Sequence, residues 1–110
     1  MRIWDLSPTI LCRKHLLGEH RELHSIWTVI TQHKKGYAHH PETLRWIGKL
    51  KALANRHEQL VKEMKKRNYR HHNELDLSLA TGDAHQTTLI HTLAEQKQIL
   101  RDKHCDCRVN

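Results

Sequence analysis

The chain has no phenylalanine, two prolines and only four glycines in 110 residues. So few glycines leave no phosphate-cradling loop, and no Gly-x-Ser-x-Gly elbow marks a hydrolytic serine. Cysteine is confined to Cys12, Cys105 and Cys107. An odd count without framework spacing argues against a disulfide scaffold and for a reducing compartment, with the cytoplasm as the expected location. No run of about 18 apolar residues exists to span a bilayer. The opening Met1-Arg2-Ile3-Trp4-Asp5 lacks the basic-then-apolar layout of a signal peptide. His104, Cys105 and Cys107 bring ligand types together at the end of the chain. A single cluster there falls short of the two spaced pairs of a structural zinc site, so neither a metal site nor a cofactor is assigned.

What the sequence has in excess is positive charge. Nineteen Lys and Arg stand against twelve Asp and Glu, giving a net charge of +7 and a pI near 9.6, with twelve His in addition. Such a balance suggests a polyanionic partner, nucleic acid first and an anionic membrane surface second. Hydrophobic residues make up 37%, enough for one modest core and a single domain over residues 1–110. Three Trp and two Tyr must supply its bulk.

Three helices are expected, giving a compact all-α domain with connecting loops. Ser7-Pro8 suits a helix start, and Leu16, Leu23, Trp27 and Ile30 form a stripe, so the first helix spans about residues 10–33. A loop at residues 34–40, punctuated by Gly36, leads to Pro41, which opens a second helix over about residues 42–67. Residues 68–82 read as irregular, with Leu75, Leu77 and Leu79 alternating as a short extended piece. Asp83-x-x-Gln86 resembles a capping box and starts a third helix running to about Lys103, with Leu89, Ile90, Leu93 and Leu100 inward. The tail from His104 reads as frayed. The pairs His39-His40 and His71-His72 read as loop residues open to phosphate. Loops longer than a tight turn argue against helix-turn-helix recognition.

The first helix carries the candidate chemistry. His15, Glu19, Glu22 and Ile26 run along one edge of its apolar stripe. A carboxylate on the border of a core is well placed to handle protons, although most such groups are ordinary solvated side chains.

His15-Leu16, Glu19 and Arg21-Glu22-Leu23 match an H-L-x-x-E-x-R-E-L helix, in register with Arg2-Ile3 and Leu6. Lys49-Leu50, Leu53, Arg56, Leu60, Glu63, Lys66-Arg67 and Tyr69 form a second matching stretch, and the third helix follows more loosely. In these features the chain resembles the pyrimidine-dimer DNA glycosylases of the phage endonuclease V type. The resemblance implies a monomeric, metal-free repair enzyme that acts on double-stranded DNA without a membrane partner. It further implies an N-terminal α-amine nucleophile, assisted by a glutamate that corresponds to Glu22. Arg21 corresponds to a phosphate-binding or positioning arginine, and Arg2 and His15 to residues lining the site. The register puts the amine on Met1, and the large Arg2 behind it predicts that Met1 is retained. An α-amine titrates near about 7.7–8.0, so part of it is a free nucleophile at neutral pH. Lys49, Arg56, Lys66, Arg67, Lys97 and Arg101 are the expected phosphate contacts. Trp4, Trp27, Trp46, Tyr37 and Tyr69 are available for stacking, with core packing the expected fate of most.

The chain also departs from the founding pattern. It lacks a glycine-containing segment between the first two helices, has Ser25 at a basic position, and ends without the aromatic tail. These departures leave the lesion open among a pyrimidine dimer, an abasic site and another modified base. Two alternatives remain: a non-catalytic basic helical module that binds nucleic acid, and a helical interaction protein using its Leu-rich faces.

Overall fold

The computed structural model describes residues 1–70 and 73–109. The His71-His72 pair lies outside them. The chain is all-α. Helix α1 spans Arg13–Thr31, α2 Pro41–Leu44, α3 Leu50–Lys66 and α4 Leu93–Asp102, with 3₁₀ turns at Pro8–Ile10 and Leu77–Leu79. Among the described residues there is no strand, only an antiparallel bridge between Lys49 and Gly82. Among the described residues no helix is long and apolar enough to cross a membrane.

The core is built where α1 packs on α3, and both ends of the chain fold onto it. α1 buries Leu16, Leu23, Ile26 and Trp27, while α3 buries Leu53, Leu60, Val61 and Met64. Ile3, Trp4 and Leu6 are buried against this pair and Val109 joins them. Each large apolar side chain so placed contributes on the order of 1.5–3 kcal/mol relative to exposure. Ser7 caps only the first 3₁₀ turn, with Pro8 at its first position, and α1 starts later, after Cys12.

Sequence periodicity predicted one long second helix; the structure breaks it in two. Pro41 does open a helix, but α2 lasts a single turn, because its polar side chains turn inward. Glu42 is buried and accepts from Arg45 Nε at 2.7 Å and Trp46 Nε1 at 3.1 Å. Arg45 reaches on to Asp5 and to the carbonyls of Ile3 and Thr88. Gly48 then takes φ +78°, and Gly82, at φ +83°, lies so close that a Cβ there would run into the Gly48 carbonyl. Glycine's freedom at positive φ and its missing side chain are both used at this crossing.

The third helix begins nine residues later than expected, its cap at Thr92 rather than Asp83. Asp83 and Gln86 instead satisfy the break between α2 and α3. Asp83 exchanges backbone bonds with Gly48 and Ala52, and Gln86 donates to the Arg45 carbonyl while accepting from Lys49 Nζ. The capping box belongs to Thr92 and Glu95. Leu89, Ile90 and Leu93, expected inside, are 42–47% exposed, and α4 buries only Gln96 and Leu100. Leu77 and Leu79 are likewise exposed, leaving Leu75 as the buried member of that trio. The tail is docked rather than frayed: Arg108 N–H donates to the Ile10 carbonyl at 2.7 Å and Val109 is buried.

Candidate active site

A cavity of about 350 Å³ opens between the N-terminal segment and α1, lined by Met1, Arg2, Trp4, Lys14, His15, Gly18, Glu19, Arg21, Glu22 and Lys103. His15, Gly18, Glu19 and Glu22 recur with helical spacing, so α1 presents them as one wall. The rest of the lining comes from Met1, Arg2 and Trp4, with Lys103 beyond the end of α4.

Glu19 holds that segment in place. It is 2% exposed, and its oxygens accept from Arg56 Nε at 2.6 Å, Arg56 Nη2 at 3.0 Å and the Trp4 amide at 3.1 Å. Arg56 also donates to the Leu6 carbonyl at 2.8 Å. Burial pushes the Glu19 carboxyl above its ordinary value, against the pull of Arg56 and the Trp4 amide. Met1 is tied as well, its sulfur accepting from the Thr43 hydroxyl at 3.7 Å. Arg2 lies over the Trp4 ring, 4.9 Å from its centroid, with Nη1 3.2 Å from His91 Nδ1.

Glu22 differs from Glu19. It is half-buried and enters no ion pair among the described residues. His15 packs edge-on against Trp4. Burial, with Lys103 and Lys14 nearby, holds its imidazole below the ordinary value, so it is neutral at physiological pH. The cavity thus joins the chain's first residue, an unpaired carboxylate and several cationic side chains. An amine nucleophile working on a sugar phosphate would need those groups.

Of the residues singled out in the sequence, Met1, Arg2, His15, Arg21 and Glu22 come together here. The more distant cations do not. Arg56 is 9% exposed and paired with Glu19. Arg67 pairs with Glu63 and reaches the carbonyls of Pro8 and Thr9. Lys49 is held by Gln86 and Thr88. Lys66, Lys97 and Arg101 are exposed and are not part of the cavity lining. Trp4, Trp27 and Trp46 are core residues, whereas Tyr37 is exposed and Tyr69 half-buried under the Arg13 guanidinium.

Sequence reading missed a basic groove of about 530 Å³, lined by Arg13, Lys14, Leu17, His20, Arg21, Met64, Arg70 and Asn73. Lys14 and Arg21 line both groove and cavity, so the two adjoin. Arg13 and Lys14 lie about a turn and a half before Glu19, a signal present in the sequence but hidden among many other cations. A larger cleft near the end of α1, of about 620 Å³, has no carboxylate in its lining. Two groups of potential metal ligands occur among the described residues: Cys12, His15, Cys105 and Cys107, and His20, His24 and His57.

The family model described as pyrimidine dimer DNA glycosylase matches residues 1–77, which include α1, α2, α3 and every cavity residue except Lys103. No curated protein and no solved structure matches the chain.

Proposed function

The chain belongs to the pyrimidine dimer DNA glycosylase family, and from that premise we propose that it is a bifunctional glycosylase and abasic-site lyase. Its nucleophile is the α-amine of Met1 and its acid–base partner is Glu22. The observation that carries this reading is their presence in one cavity, with Glu19 spent on holding the N-terminal segment.

The amine nitrogen bonds to C1′ of the damaged nucleotide, and the glycosidic C–N bond breaks. The base leaves with that electron pair and takes up a proton. Loss of the amine's proton and opening of the sugar give an imine, which makes the C2′ proton acidic. Glu22 stabilises the cationic sugar and accepts that proton. Its removal expels the 3′ phosphate oxygen and cuts the strand. Exposing the sugar costs a few kcal/mol of unstacking, least at a lesion. Phosphate contacts along Arg13, Lys14, Arg21 and Arg70 offset that cost. The substrate is double-stranded DNA, with a pyrimidine dimer as the favoured lesion.

Borohydride trapping tests the nucleophile. Reduction in the presence of dimer-containing or abasic DNA should leave a covalent adduct, and peptide mapping should place it on Met1. Acetylating the N-terminus should abolish it. An adduct yield indifferent to acetylation would remove Met1 from the mechanism, and no adduct with either DNA would favour the non-catalytic binding module.

A further inference from the structure

Three cysteines and one histidine from the two ends of the chain meet beside the cavity. Cys12 precedes α1 and His15 lies in its first turn, while Cys105 and Cys107 belong to the docked tail. Cys12 Sγ is 3.1 Å and Cys107 Sγ 3.4 Å from His15 Nδ1. The ligand atoms of all four residues lie within 4.8 Å of one another. A tetrahedral ion about 2.3 Å from sulfur and 2.0–2.1 Å from nitrogen needs neighbouring ligand atoms roughly 3.5–3.8 Å apart. The cluster is therefore close to that geometry. We propose that Cys12, His15, Cys105 and Cys107 form a structural Zn²⁺ site that fastens the C-terminal tail to the start of α1.

The donor set is the chemistry zinc prefers in closed structural sites: three sulfurs and one imidazole, arranged as a Cys-x-x-His pair and a Cys-x-Cys pair. His104, next to the tail cysteines, is exposed and takes no part; Cys12 and His15 complete the set instead. The two pairs are 90 positions apart at their nearest members, His15 and Cys105, which is why the tail alone looks like a lone cluster.

The surroundings support the assignment. The Cys12 N–H donates to Cys107 Sγ at 3.0 Å, an outer bond of the kind that orients a thiolate ligand. Binding balances as one Zn²⁺ taken up, three S–H protons released to solvent and a neutral His15 donating its Nδ1 lone pair. The Cys105 proton now directed at the Leu100 carbonyl is among those lost.

Half of the site lies outside the family match, since Cys105 and Cys107 follow residue 77 while Cys12 and His15 precede it. With four protein ligands it has no open position for catalysis. Its effect on the cavity is indirect, because His15 lines both and Lys103 stands two positions before Cys105.

The test uses the full chain purified without chelator. Metal analysis should find zinc, and titration with a mercurial thiol reagent should release one equivalent per chain. The imidazoles of His20, His24 and His57 could also take a dication, but that ion would not be thiol-released. Cobalt exchanged into the protein should show intense thiolate-to-metal charge-transfer absorption in the near ultraviolet. The Cys105→Ser/Cys107→Ser variant should lose both signals, and wild-type protein treated with a strong zinc chelator should melt at a lower temperature. The mercurial titration on wild-type chain decides the matter even if that variant fails to fold. Absence of thiol-released zinc, iron with acid-labile sulfide in its place, or a Cys12–Cys107 disulfide in the purified protein would overturn the assignment.

Discussion

Glu19 and Glu22 lie one turn apart on α1, and their surroundings separate their roles. Glu19 is sealed by Arg56 and the Trp4 amide; Glu22 faces the cavity without an ionic partner. Glu22→Gln should lower strand cleavage by about 10²–10⁴-fold, the usual contribution of a positioned acid–base group. DNA affinity, read by anisotropy, should hold. Cleavage at the wild-type rate would make Glu22 a wall residue only. For Arg56→Met the expected effect is on folding, a loss of about 3–5 kcal/mol, because a buried carboxylate is left without its partner. The folded-state pKa of Glu19 is already raised by burial and would rise further without Arg56. Stability tied to a raised carboxyl is present below the unfolded pKa and is lost as pH rises through the folded one. The deficit should therefore be largest at neutral and alkaline pH and shrink in acid, as urea melts across the pH range would show. In the sequence, the resemblance to a known register singled out Glu22. Glu19 was placed on the same border by periodicity, and its burial was not legible because its partner lies 37 positions away.

At the scale of elements, α1 was legible and the later helices less so. An apolar stripe at 3.6-residue spacing identifies a helix whose partner is the core, as for α1 and α3. It fails where polar side chains turn inward, as Glu42 and Arg45 do, or where a capping signature is used in a long-range contact, as Asp83 and Gln86 are. Gly18 poses a sharper element-level question. It lies in mid-helix and lines the cavity, and a Cβ there would meet nothing within 4 Å. Gly18→Ala should stabilise the protein by about 0.5–1 kcal/mol, since alanine loses less backbone entropy in a helix. If the open space receives the substrate, the same change should raise KM for lesion DNA. Greater stability with unaltered kinetics would show that the space is not used.

The whole molecule carries a net charge of +7, and part of it is gathered along Arg13, Lys14, Arg21 and Arg70. DNA binding should weaken steeply with salt, and Lys14→Ala should reduce the slope of log K against log salt by about one. Lys97→Ala, on the exposed face of α4, should leave that slope near the wild-type value. An equal effect of the two changes would mean that charge acts diffusely rather than along the groove. The core also ties together the two termini, the parts of most chains that fray first. Ile3, Trp4 and Leu6 are buried, and the Trp4 amide is bonded to a carboxylate that α3 clamps. Releasing the first six residues would therefore open the α1–α3 interface itself. The fraction of molecules with Met1 in place should then track global unfolding rather than local fraying. In hydrogen exchange, the Trp4 amide should be protected nearly as long as the centre of α3.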